Sequence, residues 1–220
     1  MQIVAGKYRH RKLESSPGET TRPITARVKV ALFDRLQPEL QEARVADIFS
    51  GTGTIGLEAL SRGARSVVFV ESDRDAVERL RRNVAALKVQ DDTLCWHTDA
   101  SKCSFRPKGA ERFLPFDVIF FDPPYRYASR LKTGTMLYRA LDRLARNEIA
   151  SPGALLVFRC AAKTTLEIPP VWQAERRLEY SSMEVHLFRK AANQAGSDEH
   201  EMDRNQIEKR KTADDADPRG

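Results

Sequence analysis

Residues 122–125 read Asp-Pro-Pro-Tyr and follow an apolar run, Phe116 and then Val118 to Phe121. A buried strand that ends in this way carries a carboxylate, a rigid carbonyl and an aromatic ring at its carboxyl edge, because neither Pro123 nor Pro124 can donate to a sheet ladder and both keep the chain extended. The chemistry open to such a group is narrow. The exocyclic amine of a nucleobase is a poor nucleophile, since its lone pair is delocalised into the ring. If the Asp122 carboxylate and the Pro123 carbonyl accept both amine protons, the nitrogen is drawn toward sp3 geometry and its lone pair is aimed at an electrophilic methyl group. Tyr125 can stack on the base face, an interaction worth ~1–3 kcal/mol, and hold an unpaired or flipped base in place.

A second group lies upstream. In "DIFSGTGTIGLEAL", Gly51, Gly53 and Gly56 are spaced G-x-G-x-x-G between a strand and a helix. Glycines in such a turn let the backbone approach a ligand closely, and the helix N-terminus offers unpaired N–H groups. Glu71 ends the next strand, 20 residues after Gly51, where it can accept hydrogen bonds from ribose hydroxyls. Together they indicate an adenosine-bearing cofactor without saying which, because a nicotinamide dinucleotide site has the same spacing. Residues 122–125 bear on the choice: a dehydrogenase has no use for amine acceptors.

These residues need a scaffold that brings them to one edge. From Arg44 the chain alternates strand, glycine turn and helix. "RVADIFS", "SVVFVE", "TLCWHTD", "FDVIFFD" and "GALLVF" read as strands, and "DRDAVERLRRNVAALK" places Val77, Leu80, Val84 and Leu87 on one helical face. This is βα alternation and predicts an α/β fold, a mainly parallel sheet with helices on both faces. Residues 129–149 suit a further helix, with Leu137, Leu141 and Leu144 in register. "WQAERRLEY" and "MEVHLFRK" have no long helix between them and are expected to close the sheet as an antiparallel pair. By strand order Asp122 then lies near the first glycine turn, at the edge where ligands bind in open α/β sheets.

Ahead of this unit, residues 2–13 alternate loosely as a short hairpin, and "ESSPGETTRP" consists of turn formers and breakers. A helix is expected from Ile24, with Val28, Leu32, Phe33 and Leu36 on one face and Pro38 stopping the run. The expected organisation is a basic hairpin and helix over residues 1–40, a catalytic domain over 41–190 and a charged tail over 191–220. The tail has no aromatic residue and dense mixed charge, so it should be disordered.

With 220 residues, 41% of them hydrophobic, the chain can bury one main core. No apolar run approaches the length of a membrane span, and the N-terminus is charged where a signal peptide needs its apolar segment, so a cytoplasmic protein is expected. Cys95, Cys103 and Cys160 show no CxxC spacing and read as reduced, mostly buried thiols. His97 and His186 have no companion at metal-ligand spacing and read as structural, so no metal is expected. The formal charge of +6 is unevenly spread, since residues 1–30 hold seven bases against two acids. That end is the candidate for touching a polyanion.

The segments "FSGTGTIGLEALSRGA", "DPPY" and the N-terminal "GKYRHRKL" and "RPITARVKVALFDRL" resemble those of the bacterial small-subunit (16S) ribosomal RNA guanine-N2 methyltransferases, the RsmD type, over about residues 2–190. The resemblance implies a Rossmann-like fold and an S-adenosylmethionine-dependent enzyme that methylates the N2 amine of a guanine in small-subunit rRNA, on the rRNA or on an assembling 30S particle. No conspicuous apolar surface stripe demands a partner, so a monomer is expected. It implies that Asp47, Phe49 and the Gly51, Gly53, Gly56 turn line the methionine end of the cofactor, that Glu71 and Ser72 hold the ribose, and that Asp99 and Ala100 lie by the adenine. Asp122, Pro123, Pro124 and Tyr125 would hold the target base, while Lys7, Arg9, Arg11, Arg22 and Arg27 would grip RNA phosphates. Two positions depart from the family pattern: Val30 stands where an acid is usual and Arg159 where a glutamate is usual. Both are expected to lie outside the chemistry. A DNA adenine-N6 methyltransferase would use the same Asp-Pro-Pro-Tyr but normally needs a target-recognition domain, for which this chain has little room. A nicotinamide-dependent dehydrogenase, or an RNA-binding module that kept the fold without the activity, leaves Asp122 and Tyr125 unexplained.

Overall fold

The computed structural model describes residues 1–15 and 25–192. Arg22, most of the turn-forming segment before Ile24 and the tail from residue 193 onward lie outside the described residues. The sheet is built from β1 (Arg44–Ile48), β2 (Ser66–Glu71), β3 (Thr93–His97), β4 (Phe116–Phe121), β5 (Ala150–Ala161), β6 (Trp172–Tyr180) and β7 (Met183–Lys190). Its order is β3-β2-β1-β4-β5-β7-β6, with β1 to β5 parallel and β7 antiparallel to both β5 and β6. The C-terminal hairpin therefore docks through its second strand, so that β7 continues the core and β6, which carries Glu175, Arg176, Arg177 and Glu179, forms the edge.

The central strands are apolar on both sides because both sides are covered. On one face Ile48, Val70, Phe121 and Phe158 pack with Leu141 and Leu144 of α5 (Met136–Leu144). On the other, Phe69, Phe120 and Val157 pack with Phe33 of α1 (Ala26–Leu40), Leu57 of α2 (Thr54–Ser61) and Leu80 of α3 (Arg74–Leu87). The chain leaves β1 toward β2 on one side and returns to β4 on the other. This reversal of strand order opens a crevice at the carboxyl ends of β1 and β4.

Three elements differ from the sequence expectation. Pro38 does not stop α1: it sits inside the helix, which runs on to the fully buried Leu40. A proline in the last turn removes a single backbone bond there, and the buried leucine outweighs it. The helix expected over 129–149 is in fact the shorter α5, which follows a single helical turn, α4 (Tyr125–Ala128), and a turn in which Gly134 adopts φ +84° and the Thr135 hydroxyl caps the Tyr138 N–H. The hairpin of residues 2–13 is closed by one antiparallel bridge, Gln2 to Lys12, in place of two strands. Its two anchors, Ile3 and Leu13, are buried against the α1, α2 side of the sheet.

Candidate active site

The glycine turn is shaped by three different demands. Gly53 has φ +83°, and an added Cβ would stand 2.4 Å from Leu80. At Gly56 it would stand 2.4 Å from the Phe69 ring, so this glycine lets α2 lie close on the sheet. At Gly51, φ +55°, an added Cβ would meet nothing within 4 Å, which leaves open space beside the backbone. Asp47 lies beneath, 1% exposed, with Oδ2 accepting the Gly56 N–H at 2.8 Å. Burial pushes its carboxyl up to about 7, with the nearby charges of Asp122 and Glu71 acting in the same direction.

Glu71 ties the end of β2 to this turn. One oxygen accepts the Gly51 N–H at 2.8 Å, and the other accepts those of Ser72 and Asp73, each at 2.8 Å. Phe49 has φ +65° and meets Phe121 edge to face at 5.3 Å. Asp99 is exposed, with Oδ1 accepting the Ser101 N–H at 2.8 Å, while the neighbouring Ala100 is buried in the core. The Ser50 hydroxyl is buried without a partner. Open space beside the Gly51 backbone, a two-oxygen acceptor at Glu71 and an orphaned hydroxyl on Ser50, the residue before Gly51, fit an adenosyl group carrying an amino acid.

Asp122 follows β4 immediately, and its N–H reaches the Ile48 carbonyl at 3.3 Å, which fixes it beside the end of β1. Phe121 pairs with Phe158, so the next rung sets Asp122 beside Arg159. Arg159 Nε donates to Oδ1 at 2.7 Å, and Nη2 lies 2.5 Å from Oδ2. Arg159, expected to lie apart from the candidate chemistry, is thus in direct contact with Asp122, because parallel pairing of β4 and β5 sets the two side by side. Burial raises the Asp122 carboxyl above the ordinary range, and the Arg159 charge opposes that rise. Pro124, extended at ψ 134°, forms the N-cap of α4, and Tyr125 begins that turn. Tyr125 lines a cavity of about 620 Å³ together with Thr25, Val28, Tyr180 and Ser182, among others. Sequence reasoning missed Tyr180 and Ser182, which reach the motif only because β7 inserts beside β5.

The basic arm divides. Lys7, Arg9 and Arg27 are exposed. Arg11 is exposed too, but its Nη2 holds the Ala86 carbonyl at 2.7 Å, near the C-terminus of α3. Lys29 is not a surface charge: it is 3% exposed and pairs at 3.0 Å with Glu58, which is fully buried. Glu58 also binds Arg62 at 3.0 Å and accepts the N–H groups of Val4 and Ala5 at 2.9 and 3.1 Å. Val30 is exposed on α1. Beside the Asp-Pro-Pro-Tyr mouth, Arg126 stacks 4.8 Å over the ring of Tyr127, which is 44% exposed. The basic and aromatic run "YRYASRLK" is the signal that could have found this surface.

His186 is less isolated than its spacing suggests. Its ring nitrogen, the Cys160 sulfur and a Glu184 oxygen all lie within 4.8 Å of one another. Glu184 is already occupied, by Arg177 at 2.8 Å, the Lys163 N–H at 2.6 Å and His186 at 3.1 Å. Burial pushes the Cys160 thiol up to about 11, so the sulfur is neutral, and the Arg177 guanidinium supplies the positive charge. Among the described residues no helix is long and apolar enough to cross a membrane.

The family model described as "Conserved hypothetical protein 95" matches residues 1–189. Among curated proteins, the chain is 32% identical over 172 residues to the ribosomal RNA small subunit methyltransferase D of Haemophilus influenzae, covering 78% of this chain and 84% of that one. It is 30% identical over 193 residues to the protein of that name from Escherichia coli K12, covering 87% and 91%. Among solved structures, the Escherichia coli protein yhhF, a candidate methyltransferase, superposes with a TM-score of 0.72 at 29% identity, over 88% of this chain and 99% of that one. An RNA methyltransferase from Salinibacter ruber, solved with S-adenosyl-L-homocysteine, shares the fold with a TM-score of 0.57 at 16% identity, over 80% and 98%.

Proposed function

Starting from a chain that belongs to the Conserved hypothetical protein 95 family, that of the small-subunit ribosomal RNA methyltransferases D, we propose that it methylates the N2 amine of a guanine in small-subunit rRNA. S-adenosylmethionine, when bound, supplies an electrophilic methyl group on a sulfonium. The chain's own residues do the rest. The glycine turn and Asp47 hold the methionine end, Glu71 with Ser72 holds the ribose, and Asp99 with Ala100 borders the adenine. Asp122 and the Pro123 carbonyl accept the amine protons and orient its lone pair. Tyr125 stacks on the base, and the cavity it lines leaves room for a nucleotide turned out of its helix. Positioning and fixed charge account for the rate, and no metal is needed. We place the protein in the bacterial cytoplasm, as a monomer acting on rRNA or on an assembling 30S particle.

The observation that carries this reading is the meeting of Asp122 with the Asp47 and glycine-turn end of β1 on neighbouring strands. A dehydrogenase reading leaves that meeting unused. The test is transfer from radiolabelled S-adenosylmethionine to unmodified small ribosomal subunits, naked rRNA and duplex DNA, followed by nucleoside analysis. Label in N2-methylguanosine is expected. Label in N6-methyladenine from DNA, or NADH binding with S-adenosylmethionine ignored, would overturn it.

Two further results are expected of the same site. Glu71→Ala weakens S-adenosylmethionine binding by ~1–3 kcal/mol, the scale of a charged hydrogen-bond partner. The mutation also frees the Gly51 N–H, so calorimetry with folding checked by circular dichroism is the measurement, and an unchanged dissociation constant refutes the ribose role. Neutralising the exposed Lys7, Arg9 and Arg27 together flattens the slope of log K against log salt for RNA binding by roughly 2. Equal slopes for the triple variant and the wild type would move the RNA contact elsewhere, with the Arg126 and Tyr127 surface next in line.

A further inference from the structure

We infer that Arg159 is a positioning residue, which keeps the Asp122 carboxylate ionised and fixes the plane in which it accepts the protons of the target amine; this rests on the reading of Asp122 given above.

The geometry is that of a built pair. The two side chains are only 13% and 18% exposed, and Nε and Nη2 of the guanidinium meet the two carboxylate oxygens separately. Two parallel N–H donors lock the carboxylate plane in a way that a lysine ammonium cannot. One lone-pair site on each oxygen is taken, and another remains for an amine.

The surroundings explain why a cation is needed. Asp47 on β1 and Glu71 on β2 lie close enough to act on one another, and Asp47 feels Asp122 directly. Among the described residues, Tyr125 of α4 and Cys160 of β5 also act on this corner, and neither carries positive charge; Glu184 and Arg177 act on Cys160 from its far side. Among the described residues Arg159 is the cation that acts on both Asp47 and Asp122. Two carboxylates in a dry corner without counter-charge retain a proton between them. A protonated Asp122 would donate at one oxygen where the amine needs an acceptor.

A second arginine in the same sheet serves as the comparison. At the opposite edge Arg44 binds Asp117 through Nε at 3.1 Å and Nη2 at 3.2 Å, and its Nη1 donates to the Leu114 carbonyl at 2.8 Å. Every nitrogen of that structural pair is used. In Arg159, Nη1 is buried with no partner, so within the protein this guanidinium answers to Asp122 and to the charge beside it. Arg62, in the Glu58 cluster, likewise has a buried Nη2 without a partner; what sets Arg159 apart is that its other two nitrogens converge on a carboxylate beside the end of β1 and the glycine turn.

The test compares wild type, Arg159→Gln and Arg159→Lys in two readouts. The first is the titration of the Asp122 carboxyl by 13C NMR in the free protein, its signal assigned by loss in Asp122→Asn. The second is the pH profile of methyl transfer. In Arg159→Gln the Asp122 midpoint is expected to rise by about 1–3 units, the usual effect of removing an adjacent opposite charge, and the acid limb of kcat/KM moves up with it. Arg159→Lys restores the midpoint and the acid limb while kcat stays low, because charge returns without the fork. A midpoint and acid limb unmoved in Arg159→Gln would overturn the ionising role, and wild-type kcat in Arg159→Lys would overturn the orienting one. If Arg159→Gln does not fold, Arg159→Lys decides: a lowered kcat with an unmoved acid limb supports the inference, and wild-type kcat overturns it. A wild-type protein that transfers no methyl group strikes the functional reading alone, since the NMR titration needs no substrate.

Discussion

Asp122→Ala is expected to lower the rate of methyl transfer by at least roughly 10²–10³-fold, the scale of removing one preorganised electrostatic group from a reacting centre. Binding of S-adenosylmethionine should change little, because the turn, Asp47 and Glu71 keep their own hydrogen bonds. The alanine variant also strands the buried Arg159 without its partner. Asp122→Asn is therefore the cleaner companion: it keeps the volume and one acceptor but replaces the other with a donor, and should be nearly as inactive. Single-turnover transfer and equilibrium binding of the cofactor, measured on the same preparations, separate the two effects. Retained transfer in a folded Asp122→Asn protein would end the amine-acceptor assignment.

The second large effect concerns stability. Glu58→Ala is expected to destabilise the protein by ~3–5 kcal/mol, because breaking a buried ion pair leaves its partners charged and dry. Here Lys29, with a side chain only 3% exposed, loses its carboxylate and keeps just the Gln2 carbonyl at 3.1 Å, while Arg62 loses one of its two carboxylates and keeps Asp34 at 2.7 Å. Two backbone N–H groups, of Val4 and Ala5, lose their acceptor as well. Urea unfolding gives the measurement, as a lower midpoint with an unchanged slope. A loss under ~1 kcal/mol would show that the cluster relaxes or admits water. Glu58→Gln should fall between the two, since an amide still accepts from the arm but neutralises neither cation.

The sequence made the strand ends of the candidate site legible because both motifs are local. Gly51 to Gly56 and Asp122 to Tyr125 each sit within a few residues, at the end of a strand whose apolar run announces burial on both faces. The five parallel strands and the antiparallel pair could be read for the same reason. What could not be read depends on pairing across the sheet. Arg159 reaches Asp122 because β4 and β5 are in a particular register, and a one-residue slip would send it to the opposite face. Likewise Cys160, Glu184 and His186 converge only after β7 folds back on β5, and Tyr180 joins the cavity by the same insertion. Lys29 shows the limit of counting charge: in a run of bases it looks like a surface group, yet the α1 periodicity that buries Leu32, Phe33 and Leu36 carries it inward to Glu58. Pro38 was misread as a stop because breaker rules weigh the lost hydrogen bond and not the buried leucine two residues on.

Helix α2 joins two things that the chain separates by some fifty residues. Its first turn belongs to the glycine loop, and its last carries the N-terminal arm: Ser61 accepts from Lys7 and Tyr8 and donates to Ala5. Gly6 comes so near that a methyl group there would stand 1.8 Å from the Ser61 carbonyl oxygen. Asn83 adds a strut, donating to both Thr52 in the loop and Glu14 in the arm. In the proposed function, the part of the arm held in this way, residues 1–15, approaches the RNA already assembled. Association through that part would then be limited by rigid-body orientation and by electrostatic steering, with no folding step of those residues after encounter. The entropy of ordering them is spent once, during folding, and would be absent from each binding cycle.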